Sequence, residues 1–381
     1  VEVLSFALPR AKAAFGVYEG APLSASEMAD LVDHGCNSAS MWARWPEYER
    51  GSGEYDIGEL DAYLTALRAA GLDHSWVWYV ATKAHDRFRM GEDLGDDQGT
   101  AENLINIGTV YEEQGMLDEA LASYRRALKL EQDLGDKMAE ILCLNDIGNV
   151  YIKQAKLDDA EVYFDRALEA RRQIGEQKGV AVTLNCLGNI ERLRGRYDRA
   201  MSRYLDALKI MRETGWKNGE AETRGYVASV MSAQGRYPAA LESWTEALGI
   251  YQGLRDKNGI ATTLAGLSKV QCAIGHCQDA ERSTEQALTL AREIGNEELV
   301  ADVLLAMGRV ELMRRQGESA LDHLTEASER AERCGGRVTL LMVQSALGRA
   351  LGETGSFERA RTVLRETADE ARKLNLGTVL A

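Results

Sequence analysis

The chain has 381 residues, of which 45% are hydrophobic and 28% are charged, and its formal net charge at pH 7 is −15. An excess of acidic side chains opposes binding to nucleic acids and to anionic membrane surfaces. No apolar run approaches the roughly 18–20 residues of a membrane span. The six cysteines follow no disulfide spacing, which favours a reduced, cytoplasmic setting.

The first ninety residues differ in pattern from the rest of the chain. Residues 1–93 hold four of the six tryptophans, and strand-like runs alternate with helix-like runs. The strand-like runs are 14–18 and 75–80, the helix-like runs are 24–35 and 57–72, and a loop is predicted over 46–56. Such alternation predicts a small α/β or irregular segment.

Part of this segment resembles the opening of a TIM-barrel glycosidase. The matching residues are Gly35, Asn37, Trp45, Glu49, Gly53, Tyr55, Asp56, Leu60, Asp61, Leu64, Gly71 and Leu72. The resemblance covers about 14–80, at most three of the eight strands of such a barrel. The acid and nucleophile carboxylates of that family come from later strands, so no catalytic residue is assigned here. A cap on the first repeat is the preferred interpretation, and a truncated or chimeric glycoside-hydrolase-related protein is the alternative.

From residue 94 onward, a period of 40 residues governs the chain. Alanine recurs in one register at Ala120, Ala160, Ala200, Ala240, Ala280, Ala320 and Ala360. Small residues, mostly glycine, recur twelve positions earlier, and large ones such as Tyr124, Phe164, Tyr204 and Trp244 recur four positions later. A fixed period of this length is typical of stacked repeats. The order of small, turn and large residues predicts a helix, a tight turn and a second helix in each unit.

The repeat resembles the tetratricopeptide motif. Residues 103–128, NLINIGTVYEEQGMLDEALASYRRAL, carry the Leu, Gly, Tyr, Gly, Ala, Tyr and Ala of that family at its spacings. The added length lies around glycines that suit left-handed helix ends, and longer units of this kind look like those of kinesin light chains and LGN-type scaffolds. The resemblance covers about 94–376. It implies an all-α, right-handed solenoid of about seven helical hairpins, with a domain boundary between 1–93 and 94–381.

The resemblance also implies that the first helix of each unit lines a concave face. The second, fifth, sixth, ninth and thirteenth positions of the unit should point inward. The fifth and ninth positions carry Asn145, Asn149, Asn185 and Asn189, with Asn106 as a neighbour. Amide side chains both donate and accept, so this set is predicted to bind the backbone of an extended peptide. The alternative is that these asparagines are merely tolerated at solvent-facing positions.

In the later units, the ninth position becomes basic. Lys269, Arg309 and Arg349 form a stripe that suits carboxylates, so the peptide is expected to carry acidic side chains. The alternative is ion pairing within the solenoid, for example between Arg309 and Glu311. Lys153 and Arg192 could extend this basic lining, and Glu112 and Glu113 are expected to make the entrance acidic.

No phosphate loop or catalytic arrangement stands out, so no enzyme activity and no cofactor are predicted. Cys272, His276 and Cys277 invite comparison with a metal site, but a fourth ligand is missing and a structural role is favoured. The leading hypothesis is a scaffold that binds a protein or peptide. Apart from the glycosidase-related alternative, the chain could also be the sensory half of a bacterial regulator.

Overall fold

A computed structural model describes residues 97–380 and, nearer the N-terminus, one pair of short strands. Strands β1 (Glu49–Arg50) and β2 (Glu54–Tyr55) run antiparallel, with Glu49 opposite Tyr55. Both strands fall in the loop predicted over 46–56, and that prediction is wrong here, because a three-residue connection containing glycine is also typical of a hairpin. The glycosidase-like stretch and the proposed N-terminal cap otherwise lie outside the described residues.

Backbone contacts divide the chain into residues 1–84 and 85–381. All the helices that the structure describes lie in the second unit. Its helices are α1 (Asp97–Glu113), α2 (Leu117–Leu134), α3 (Lys137–Lys153), α4 (Leu157–Ile174), α5 (Gln177–Leu193), α6 (Tyr197–Glu213), α7 (Lys217–Ala233), α8 (Tyr237–Leu254), α9 (Lys257–Ala273), α10 (Cys277–Ile294), α11 (Glu297–Met313), α12 (Gly317–Arg333), α13 (Arg337–Glu353), α14 (Phe357–Lys373) and α15 (Gly377–Leu380). The odd-numbered helices α1 to α13 are called first helices below, and the even-numbered helices α2 to α14 are called second helices. Seven consecutive hairpins confirm the predicted all-α solenoid. The predicted boundary between residues 93 and 94 stays a prediction.

The alanine register marks the places where the two helices of a unit lie closest. Ala160, Ala200 and Ala240 are completely buried. The other four alanines of the register are buried as well, which confirms the predicted register. A larger side chain at such a position would overpack the contact.

Small and large residues complement one another within each hairpin. A Cβ atom on Gly188 would lie 2.5 Å from the ring of Tyr204, so only glycine leaves room for that ring. The fourth unit makes room for its large aromatic residue with different glycines. Its Trp244 is accommodated by Gly225 and Gly266, where added Cβ atoms would lie 2.9 and 2.3 Å from the indole. Glycines therefore make room for the large ring in both units, although at different positions.

Every twentieth residue from Gly115 to Asn375 has a positive φ and ends a helix. Ten of these positions are glycine, which adopts this left-handed conformation without steric cost. The other four are Ala155, Arg255, Arg315 and Asn375. The turn geometry is thus imposed by the repeat even where the residue disfavours it.

First helices of consecutive units contact one another along α5, α7, α9, α11 and α13. No comparable contact joins second helices between residues 97 and 380. The first helices therefore lie on the inner side of the curve, as the family resemblance implied.

The solenoid also makes contacts between units that are far apart in sequence. A Cβ atom on Gly115 would lie 2.6 Å from the carbonyl oxygen of Arg333, and Thr378 Oγ1 donates to the carbonyl of Leu193 at 3.3 Å. Helices α3 and α13 are in contact as well. In an open solenoid, each repeat contacts only its neighbours in sequence. This solenoid has additional contacts between distant units.

Candidate functional site

Two of the predicted asparagines are used inside the protein. Asn145 is buried and its Nδ2 donates to the carbonyl of Ile141 at 3.1 Å. Asn185 is buried too, and its Nδ2 donates to Thr223 Oγ1 at 2.9 Å. The fifth position of the repeat therefore packs between first helices. Within the described helices, the side-chain oxygens of both asparagines have no hydrogen-bond partner.

The other asparagines are more open. Asn106 and Asn149 are exposed on α1 and α3, and Asn189 is half-buried on α5. The side-chain oxygen of Asn189 accepts from Arg192 Nε at 3.1 Å and from Arg192 Nη2 at 2.6 Å. Asn189 is thereby hydrogen-bonded to Arg192, a residue predicted only as a possible extension of the basic lining.

The basic stripe has no acidic partner in direct contact. Lys269 and Arg349 are exposed and Arg309 is half-buried, yet among residues 97–380 no carboxylate lies within ion-pair distance of any of them. The pairing of Arg309 with Glu311 that sequence allowed does not occur. Glu311 instead accepts from Ser319 Oγ at 2.6 Å and lies 3.0 Å from Nδ1 of His323.

These cations act on one another electrostatically. Surrounding protein atoms desolvate the ammonium group of Lys269 and lower its pKa to about 8 even though the side chain is exposed to solvent, and the neighbouring charges of Arg309 and Arg192 act in the same direction. The pKa of Arg309 is also lowered by burial and by Arg349 and Arg192, against the opposite effect of Asp302. Arg192 belongs to the third unit, so the curvature brings it towards the fifth and sixth. We call Arg192, Lys269, Arg309 and Arg349 the cationic cluster.

One carboxylate lies at the edge of this cluster. Asp302 on α11 accepts from Thr339 Oγ1 at 3.3 Å. Desolvation by the surrounding protein, with a contribution from Glu298, raises the pKa of Asp302 to about 6 although its side chain is exposed to solvent, and Arg309 and Arg192 act in the opposite sense. Asp302 is not among the site residues predicted from the sequence. It occupies the second position of its unit, which the family resemblance had already placed on the concave face.

The first units have the opposite character. Burial and the neighbouring Glu112 raise the pKa of Asp146 to about 6. Lys153, predicted to extend the basic lining, is instead held by two carboxylates, with its Nζ 3.1 Å from Glu112 and 2.9 Å from Glu298. The inner face is therefore acidic near α1 and α3 and cationic towards α9, α11 and α13.

Neither a metal site nor a membrane span is found in the described part of the chain. No group of three or more His, Cys, Asp or Glu side chains there could hold a metal ion. None of its helices is long and apolar enough to cross a membrane.

Family models and solved structures give a consistent comparison for the repeats. Models described as tetratricopeptide repeat match residues 101–134, 138–213 and 219–293. No curated protein matches the chain.

Among solved structures, a Rap protein complexed with Competence and Sporulation Factor aligns with a TM-score of 0.60 and 14% identity, over 83% of this chain and 94% of that chain. The Rap conjugation gene regulator of the plasmid pLS20, in complex with the Phr* peptide, aligns with a TM-score of 0.53 and 17% identity, over 72% and 79%. A putative kinesin light chain of Podosopora anserina aligns over 49% and 92% with 13% identity, but its TM-score of 0.37 is too low to bear on the fold.

At these identities the solved structures show the fold alone. The family models, however, fall on the same hairpins that the structure describes, and the register that they match continues unchanged through α14. Residues 97–373 are therefore a solenoid of helical hairpins in which residues 101–134, 138–213 and 219–293 match tetratricopeptide repeats.

Proposed function

We propose that this solenoid is a protein-interaction scaffold that holds an extended peptide against its first helices, with acidic side chains of the peptide at the cationic cluster. The observation that carries the proposal is a group of four cations that no carboxylate of residues 97–380 contacts, in a chain whose net charge is −15. Two Rap structures of the same fold contain bound factors, one of them named as a peptide.

Among the described residues, the lack of acidic partners at the cationic cluster contrasts with the pairing of arginines elsewhere in the solenoid. Arg194 contacts both Asp158 and Glu161, and Arg330 contacts both Glu297 and Glu326. Clustered cations repel one another, and in Lys269 this repulsion contributes to a lowered pKa. A ligand carboxylate would relieve the repulsion, and a charge-assisted hydrogen bond to it contributes about 1.5–3 kcal/mol.

The asparagines fit the backbone of such a peptide. Asn149 and Asn189 occupy the same ninth position of the repeat as Lys269, Arg309 and Arg349, so five of the seven first helices carry an amide or a cation there. An amide at this position can donate to a peptide carbonyl and accept from a peptide N–H. The predicted role of Asn106 remains part of the proposal. Asn145 and Asn185 also remain predicted contacts, but their unpaired side-chain oxygens are buried, so binding through them requires the neighbouring first helices to move apart.

We also propose that the chain acts by binding and not by catalysis. Its partner is then a protein or peptide, and neither nucleic acid nor membrane is required. Similarity to the fold of a conjugation gene regulator supports a sensory role in a larger regulatory system as a second candidate.

A random peptide display library panned against the full chain tests the proposal. We expect recovered peptides to be enriched in Asp and Glu. Titration calorimetry with a recovered peptide should show that Asn149→Ala weakens binding by about 0.5–1.5 kcal/mol. Arg309→Glu should weaken it more, and added salt should partly mimic that loss.

The matched control is Arg199→Glu, which makes the same charge change at an exposed position on the second helix α6. This variant should bind like the parent. Equal losses for Arg199→Glu and Arg309→Glu, or recovered peptides with no acidic enrichment, would place the binding surface elsewhere.

A further inference from the structure

Two thiols lie in contact where α9 ends and α10 begins. Cys272 is in the last turn of α9, and Cys277 is the first residue of α10. Their Sγ atoms are 2.7 Å apart. A disulfide bond has an S–S length of about 2.05 Å, so bond formation requires a closure of only about 0.7 Å.

The turn between the two helices creates this approach. Gly275 has a φ of +91°, and its N–H donates to the carbonyl of Cys272 at 3.0 Å. The chain reverses within a few residues, so the side chains at the end of α9 and at the start of α10 fall on the same side. The Cys277 thiol also donates to the Cys272 carbonyl at 3.7 Å.

The two thiols differ in access. Cys272 is buried against Ala280 and Val310, whereas Cys277 is half-buried. Burial raises the pKa of Cys272 to about 12, and the hydrogen bond with Cys277 acts in the same direction. Cys277 is therefore the thiol that a reagent reaches first, and Cys272 lies directly behind it.

A metal ion does not explain the pair. Structural zinc sites use four ligands in tetrahedral geometry. His276, the nearest further candidate, has a side chain that is 62% exposed and lies 3.9 Å from Asp279. In the part of the chain that the structure describes, no third ligand joins the two cysteines.

We propose that Cys272 and Cys277 form a reversible oxidation site, closed by thiol–disulfide exchange with a small disulfide such as glutathione disulfide. The Cys277 thiolate attacks one sulfur of glutathione disulfide, which forms a mixed disulfide and releases one glutathione. Cys272 then loses its proton to solvent and attacks Sγ of Cys277, which releases the second glutathione. The protein loses two hydrogen atoms, and glutathione disulfide is reduced to two thiols.

Such a site belongs to the class of disulfides that form transiently in reducing compartments. The remaining cysteines of residues 97–380 are Cys143, Cys186 and Cys334, and none of them is bonded to another sulfur. They serve as internal controls, because the proposal assigns a partner only to Cys272 and Cys277.

The test uses the full chain equilibrated in glutathione buffers of increasing oxidation, alkylated with iodoacetamide and digested with trypsin. Residues 270–282 form one tryptic peptide that contains both cysteines and no other cleavage site. We expect this peptide to lose two hydrogen atoms while the peptides of Cys143 and Cys334 are alkylated. The folded chain should reach half-oxidation at a tenfold lower oxidant ratio than the chain in denaturant, which corresponds to about 30 mV.

Single variants separate the two thiols. Cys272→Ser should accumulate a glutathione adduct on Cys277, because no second thiol resolves it, whereas Cys277→Ser should leave Cys272 unmodified. Circular dichroism of both variants checks that the helices are retained. If peptide 270–282 remains a dithiol, or if the folded chain needs as much oxidant as the denatured chain, the proposal fails. Neither result bears on peptide binding.

Discussion

Lys153 and Glu298 are in contact although one ends α3 and the other begins α11: the lysine Nζ lies 2.9 Å from the glutamate carboxylate. The same Nζ lies 3.1 Å from Glu112 on α1. Burial alone would lower the pKa of Lys153, but the two carboxylates outweigh it and raise the pKa. One ammonium group thus joins the second unit to the first and the sixth, and ties the solenoid back onto itself.

Replacing Lys153 by Met should destabilise the fold by about 1–2 kcal/mol, because two carboxylates would be left facing each other at a half-buried site. The matched control is Lys257→Met, since Lys257 makes a 3.0 Å pair with Glu293 in which both side chains are largely exposed. That variant should lose at most about 0.5 kcal/mol. Urea unfolding measures both.

The raised pKa also fixes the sign of the pH dependence. The contribution of Lys153 is complete below its unfolded pKa of about 10.4 and is lost as the pH rises through the higher folded value. The difference between parent and variant should therefore be constant near pH 7 and shrink at strongly alkaline pH. Equal losses for both lysine variants at pH 7 would show that the contact between distant units does not stabilise the fold.

One substitution at two glycines should have opposite effects. Gly188→Ala places a Cβ 2.5 Å from the ring of Tyr204, and the overpacking should cost about 1–3 kcal/mol. Gly249 lies in α8 with open space around its Cα, so Gly249→Ala should stabilise by about 0.5–1 kcal/mol through helix propensity. Thermal unfolding followed by circular dichroism compares the two. The same direction of change in both would contradict the assigned register.

The left-handed positions offer a stabilising substitution. Arg315 has a φ of +59°, where a side chain costs roughly 1–2 kcal/mol. Arg315→Gly removes this cost, but it also raises the entropy of the unfolded chain, so a net gain of about 0.5–1 kcal/mol is expected. Arg361→Gly within α14 is the control and should lose about 1 kcal/mol. Chemical denaturation resolves the two signs, and a loss for Arg315→Gly would be inconsistent with the turn geometry.

Protonation of Asp302 should strengthen the binding of an acidic peptide recovered from the library. The pKa of Asp302 is raised to about 6, so its negative charge beside the cationic cluster disappears as the pH falls from 7.5 to 5.5. Affinity should rise several-fold over this range. In Asp302→Asn the affinity should be high at both pH values, because the competing charge is absent throughout. Calorimetry of both chains isolates this group from Asp146, and an unchanged pH profile in the variant would exclude Asp302 from the site.

The candidate site shows which of its features the sequence repeat can predict. Sequence periodicity correctly placed the asparagines and the basic residues on first helices, because that position depends only on the phase within one unit. It did not distinguish the exposed Asn149 from the buried Asn145, because burial at the fifth position depends on how closely neighbouring first helices approach. Sequence periodicity also did not predict that Lys153 pairs with two carboxylates, whereas Lys269 has no carboxylate within ion-pair distance among the described residues.

What the sequence determined by itself is the repeated hairpin: the buried Ala200, the space that Gly188 leaves for Tyr204, and the left-handed turns at every twentieth residue. These features join residues within one unit, so a fixed period encodes them directly. Only the tertiary structure decided that Arg192 approaches Lys269 and that Lys153 meets Glu298. Each hairpin is rotated slightly relative to the one before it, and these rotations add up until distant units come into contact. No residue pattern within one unit specifies the total rotation.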